Sequence, residues 1–166
     1  MPIYTLLSHE FFIPEQLALV DTNVLNTAFY DKGARGQNTR FFLDEYLGEL
    51  ELSPIVLLEV VVEMWGLVVG SRKAKSCGLE ILSWLSDTNN TTLLPLERNI
   101  FDEGHALCID TEIDYVDSIL IASAFGLSRH CKLKAPLPII TFETRDYYHF
   151  MCKSKKTIQL INPDEY

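Results

Sequence analysis

The sequence predicts an α/β domain built on a mainly parallel sheet of about five strands flanked by helices. Short continuous apolar runs bounded by polar residues, clearest at 17–20 and 137–144, read as buried strands. Stretches with helical apolar spacing alternate with these runs, the pattern of parallel-sheet proteins. A length of 166 residues with 48% hydrophobic content suffices for one well-filled core.

Residues 1–16 form a leader of mixed character ahead of the domain at 17–166. After the first strand a helix is expected over 24–30, then a polar, glycine-containing loop over 31–38. Phe41, Phe42, Tyr46, Leu47 and Leu50 give helical spacing, followed by a brief strand at 51–53. Ser53 and Pro54 suit the N-cap and first turn of a helix over 54–69, which should break at Gly70-Ser71. A helix over 74–85, a turn at 87–90, a strand at 91–94 and a helix over 100–108 follow. A strong helix over 111–125 should stop at Gly126, before the strand at 137–144, a short helix at 147–151 and a last strand at 157–161. Trp65 and Trp84 lie on apolar helical faces and are assigned to the core.

Fourteen Lys and Arg against 23 Asp and Glu give a formal charge of −9, which argues against a passive coat for nucleic acid. It leaves room for an enzyme that gathers carboxylates around a metal and meets phosphates with a few local cations. No apolar run approaches the roughly 20 residues of a membrane helix. The best candidate, 57–69, is interrupted by Glu59 and Glu63. The N-terminus lacks a basic start followed by a long apolar block, so a cytoplasmic protein without membrane association is expected. Cys77, Cys108, Cys131 and Cys152 show neither C-x-x-C pairing nor metal-ligand spacing and are expected as reduced thiols. The four histidines share no metal-binding spacing.

Four carboxylates stand at the edges of apolar stretches: Asp21 after Leu17-Ala18-Leu19-Val20, Glu59 after Ser53 to Leu58, Asp117 before Ser118 to Ala124, and Asp146 in Thr144-Arg145-Asp146. Acids there are costly unless paired, hydrogen-bonded or neutralised. Strands that run parallel place their ligand crevice beyond their carboxyl ends, where Asp21 and Asp146 would meet. Converging carboxylates repel one another unless a hard divalent cation joins them. Each acid also has a plainer reading. Asp21 could cap the next helix, and Glu59 could be an acid favoured near a helix N-terminus. Asp117 could serve a helix start that Asp114 caps, with Asp114 as a weaker candidate for a second metal. Glu63, one turn beyond Glu59, is read as solvated or paired. Glu143 competes with Asp146, because Thr141-Phe142-Glu143 repeats the pattern of a threonine two residues before an acid. Arg145, Arg72, Lys73 and Lys75 are candidate phosphate contacts.

Taken in order, Val20-Asp21-Thr22-Asn23-Val24-Leu25, Ser53 to Glu59, Asp117 to Ala124, and Thr144-Arg145-Asp146 with Phe150 resemble the motifs of PIN-domain ribonucleases. Ile161-Asn162-Pro163 resembles a common ending of bacterial members, the VapC-like toxins being the nearest subgroup. The resemblance implies a three-layer domain and Mg²⁺- or Mn²⁺-dependent hydrolysis of RNA phosphodiesters. It implies that Asp21, Glu59, Asp117 and Asp146 hold the metal, with Asn23 and Thr144 orienting Asp21 and the attacking water. It also suggests an antitoxin protein as partner, and a homodimer. Two rivals accompany this reading. The Asp21 loop faintly resembles that of haloacid-dehalogenase-like phosphatases, but Asn23 stands where those need a second aspartate. A catalytically silent PIN-like scaffold or RNA-binding subunit is the other.

Overall fold

The structure, a computed structural model, describes residues 17–69, 74–87 and 91–166. The leader at 1–16, the Gly70-Ser71 break, Arg72, Lys73, the Lys75 side chain and residues 88–90 lie outside the described residues. Among the described residues five strands, all parallel, stand in the order β3-β2-β1-β4-β5. They are β1 (Leu17–Val20), β2 (Ser53–Leu57), β3 (Thr92–Leu94), β4 (Ile139–Ile140) and β5 (Leu160–Ile161). The longer helices among the described residues are α1 (Thr22–Tyr30), α2 (Ala34–Phe41), α3 (Leu58–Val69), α4 (Ala74–Ser86), α5 (Arg98–Thr111), α6 (Tyr115–His130) and α7 (Arg145–Ser154). A π-helical stretch, Phe42–Tyr46, continues α2. This is the α/β arrangement on a parallel sheet that the alternating pattern predicts, in the three layers that the family resemblance implies.

β1 lies at the centre of the sheet and is buried along its whole length. A strand covered on both faces must be apolar throughout, which is why Leu17-Ala18-Leu19-Val20 shows no alternation. From β1 the chain builds outward through β2 to β3, then crosses to the other side for β4 and β5. That reversal opens a crevice beyond the carboxyl ends of β1 and β4. Asp21 and Thr141 are the first residues past those two strand ends.

Several boundaries differ from the sequence expectation, each for a local reason. β2 occupies 53–57 rather than 51–53, and α3 begins at Leu58 rather than Pro54. Pro54 is tolerated in β2 because it lies opposite Ala18 of β1, while pairing to β3 starts only at Ile55. Its carbonyl is taken by the Thr91 hydroxyl at 3.0 Å. Most of the expected polar loop at 31–38 is helix, because Gly36 marks a helix contact: a Cβ there would fall 1.7 Å from the Asp31 carbonyl oxygen. Gly126 does not stop α6, which runs on to His130. It lets α5 approach, since a Cβ would meet Ile100 Cδ1 at 2.1 Å, as one on Gly104 would meet Ile119 Cδ1 at 2.5 Å. The expected helix start at 111 is the end of α5, closed by Glu112 in the left-handed region (φ 58°). Trp84 is buried against Phe29, whereas Trp65 is 37% exposed and lies across Gly78.

Candidate functional site

Asp21 is delivered to the crevice by the buried β1 strand and is itself only 4% exposed. Its Oδ1 accepts the Thr22 backbone N–H at 2.6 Å, capping α1. Its Oδ2 accepts from Thr141 Oγ1 at 2.7 Å, Asn23 Nδ2 at 3.0 Å and the Tyr147 hydroxyl at 3.2 Å. Three side-chain donors thus anchor one carboxylate oxygen and leave the other with a single backbone bond. Asn23 also accepts the Phe142 N–H at 3.1 Å, stapling the exit of β4 to α1.

Tyr147, fully buried in the first turn of α7, joins the two halves of the site. Its hydroxyl also lies 3.1 Å from Asp117 Oδ1 on α6. A phenol has one proton, so it cannot donate to both carboxylates at once. The two acids therefore share a single neutral donor in a poorly solvated place, and their charges oppose each other. Burial, then the charge of Asp21, pushes the Asp117 carboxyl up to about 7, against the relief that Tyr147 supplies. Burial likewise raises Asp21, with Glu63 adding to the shift and Thr141, Thr22 and Tyr147 opposing it. The Tyr147 phenol is pushed well above its ordinary range by burial and by the two acids.

Asp114 caps α6 by accepting the Val116 N–H at 2.9 Å, the plainer of its two readings. Asp146, in the first turn of α7, accepts the Asp114 N–H at 3.3 Å, and both charges bear on Asp117. Glu143 is exposed and accepts the Arg145 N–H at 2.9 Å, so its side chain serves the start of α7. Thr144 stands at the N-cap of α7 without a side-chain capping bond, and the hydroxyl on Asp21 comes from Thr141 instead. Glu59 is the second residue of α3, just past the carboxyl end of β2 and at the same sheet edge as Asp21. Its Oε2 is buried with no hydrogen-bond partner. No hydrogen bond joins Glu59 to the other acids among the described residues. Glu63 is half-buried, and its Oε2 accepts the Thr22 hydroxyl.

Sequence reasoning passed over Thr141 and Tyr147 as site groups and set Glu63 aside. Thr141 carried a usable signal, because it follows β4 just as Asp21 follows β1. Tyr147 carried a weaker one: its spacing of three from Phe150 puts both on the inward face of α7.

Among the described residues, no three His, Cys, Asp or Glu side chains form a ready-made metal cage. The donor chemistry nevertheless fits a hard divalent cation. Asp21 and Asp117 are carboxylates brought together against their own repulsion around the single hydroxyl of Tyr147. The orphaned buried Oε2 of Glu59 is an acceptor that nothing among the described residues satisfies.

The family profile described as "PIN domain" matches residues 18–148. None of the curated proteins compared with it matches the chain. Among solved structures, a toxin–antitoxin complex from Klebsiella pneumoniae is similar at 22% identity and TM-score 0.54, over 78% of this chain and 89% of that one. VapC20 of Mycobacterium tuberculosis, described as a sarcin–ricin loop cleaving toxin, is similar at 13% identity and TM-score 0.59, over 79% and 93% of the two chains. VapBC-1 from nontypeable Haemophilus influenzae is similar at 13% identity and TM-score 0.59, over 89% and 98%. At these identities the likeness is one of fold.

Proposed function

The chain belongs to the PIN domain family, and from that membership and its acid pair we propose that it is a metal-dependent endoribonuclease hydrolysing RNA phosphodiester bonds. The observation that carries the reading is the meeting of Asp21 and Asp117 on one buried hydroxyl, at the crevice where the sheet order reverses. Asp21 and Asp117 would hold Mg²⁺ or Mn²⁺, with Glu59 and Asp146 completing the oxygen donors. A bound divalent cation supplies charge for the scissile phosphate and acidifies a coordinated water. The chain's own residues do the positioning. Thr141, Asn23 and Tyr147 hold Asp21 through Oδ2 while the Thr22 N–H holds Oδ1, so the carboxylate keeps one orientation. Asp117 is held more loosely, by the shared Tyr147 hydroxyl at 3.1 Å. Arg145, exposed at the start of α7, is placed to meet a phosphate that approaches Asp146.

A fold neighbour described as a toxin–antitoxin complex supports an antitoxin protein as partner. Leu58, Val62 and Trp65, exposed at helical spacing on α3, offer it an apolar stripe. Assembly as a homodimer and residence in the cytoplasm belong to the same proposal. No helix among the described residues is long and apolar enough to cross a membrane. The rival reading, a catalytically silent scaffold or RNA-binding subunit, draws on the lack of a closed cage of three acids among the described residues.

A cleavage assay separates the two. The purified chain is incubated with structured RNA in Mg²⁺, Mn²⁺ or EDTA, beside Asp21→Asn and Asp117→Asn. Cleavage that needs metal and is lost in both variants is the expected result. RNA binding without cleavage in any metal would favour the scaffold, and cleavage that survives both substitutions would remove the acid pair from the mechanism.

A further inference from the structure

We propose that the cavity lined by Glu112, Arg145, Asp146, Tyr148 and Cys152, beside the acid pair, is a nucleotide subsite: Tyr148 stacks on a base of single-stranded RNA and Arg145 takes the adjoining phosphate. The inference rests on the nuclease reading and adds a place for the substrate next to the scissile bond.

The cavity has a volume of about 410 Å³, inside the roughly 300–1,000 Å³ range of small-molecule sites. It meets the candidate site at Asp146. Asp146 lines it and accepts the Asp114 N–H at the head of α6, the helix that carries Asp117. Tyr147 and Tyr148 are consecutive on α7, so their side chains diverge by about 100° around the helix. One reaches inward to Asp21 and Asp117, and the other opens onto the cavity. A single helical turn therefore serves both places.

Two side chains in the cavity stand out by what they lack. Arg35, Arg40, Arg98 and Arg129 each grip a carboxylate at 2.6–3.0 Å. The Arg145 guanidinium has no ion pair or hydrogen bond of its own among the described residues. In a chain of net charge −9, an arginine whose guanidinium pairs with no carboxylate among the described residues, at the rim of an acid site, is available to an anion. Tyr148 is 56% exposed, and its ring joins no stack or hydrogen bond among the described residues. Tyr46, Tyr115 and Tyr166, by contrast, pack on neighbouring rings. A free aromatic face beside an unpaired guanidinium is the pairing that single-stranded nucleic acid uses, ring on ring and cation on phosphate. Glu112 and Asp146 also line the cavity and would repel an anion. That confines the phosphate to the Arg145 side and gives the remaining space to the uncharged base.

The test uses the full chain with a fluorescently labelled 2′-O-methyl hexanucleotide, which resists cleavage, read by anisotropy. Parallel rates on a cleavable RNA of the same sequence give KM and kcat. Tyr148→Ala should weaken hexanucleotide binding about tenfold and raise KM to match, with kcat at saturating RNA held within about twofold. Tyr148→Phe should restore binding, because the ring rather than the hydroxyl does the stacking. Arg145→Ala should weaken binding and lower its dependence on log salt by about 0.7, the loss of one phosphate contact on a single strand. Binding and KM unchanged in Tyr148→Ala would overturn the subsite while leaving the nuclease reading intact. Binding that depends on Tyr148 in a chain that cuts no RNA would uphold the subsite and overturn the nuclease.

Discussion

Replacing Tyr147 with Phe removes one oxygen from a fully buried ring and leaves the rest of the packing in place. The loss falls unevenly on the two acids. Asp21 Oδ2 keeps its bonds from Thr141 and Asn23, whereas Asp117 Oδ1 loses its side-chain donor. A hydrogen bond to a charged group contributes about 1.5–3 kcal/mol, and removing a group that orients a metal ligand costs about 10–100-fold in metal affinity. Because Asp21 remains held, the expected loss lies near the lower end, about tenfold or 1.4 kcal/mol. Phe fills the same space but leaves Asp117 Oδ1 without that donor, so the metal-free protein should lose about 1–3 kcal/mol of stability. Titration of Mn²⁺ into metal-free protein by calorimetry measures the effect, with the exposed Tyr148→Phe as control. Equal affinity in the Tyr147→Phe variant would refute the positioning role. Tighter binding would refute it too, by showing that the hydroxyl competes with the cation.

Other outcomes follow from the same geometry. Asp117 is held at about 7 against an ordinary 3.8, so the folded state retains a proton that the unfolded chain sheds. Its stabilising effect is complete below the unfolded value and is lost as pH rises from there through about 7. The Tm of metal-free protein should therefore fall between about pH 4 and pH 7, and Asp117→Asn or saturating Mn²⁺ should flatten that fall; a flat profile in the parent would contradict the burial of the pair. Glu59→Met removes an unsatisfied buried oxygen, so calorimetry should show a metal-free Tm about 2–4 °C higher together with weaker Mn²⁺ binding. Reduced stability with unchanged metal affinity would make Glu59 merely structural. Gly36→Ala forces a Cβ onto the Asp31 and Thr27 carbonyls and should cost about 1–3 kcal/mol, lowering Tm by about 2–12 °C. An unchanged Tm would mean that α1 and α2 can part without cost.

The sheet was legible because its centre is unambiguous. Leu17-Ala18-Leu19-Val20 is too short and too apolar to be anything but a strand covered on both faces. Helix ends were less legible, since a glycine or proline has more than one use. Pro54 reads as a helix start but sits in β2, at a point the neighbouring strand does not reach. Gly36 and Gly126 read as breaks but mark helices in close approach. For the site, Asp21 and Asp117 could be singled out because each borders an apolar stretch, and the structure brings both to Tyr147. Thr141 and Tyr147 were hidden because their role depends on β4 lying beside β1, a pairing between residues about 120 apart that no local pattern encodes. Glu59 and Glu63 lie one turn apart on α3, and spacing alone could not tell which acid turns toward Thr22.

Crystals grown with Mn²⁺ and the 2′-O-methyl hexanucleotide, measured at the manganese absorption edge, test the central claim most directly. An anomalous peak at about 2.1 Å from oxygens of both Asp21 and Asp117, beside a phosphate of the bound strand, is the predicted result. A peak away from these two acids, or none at saturating Mn²⁺, would contradict the account.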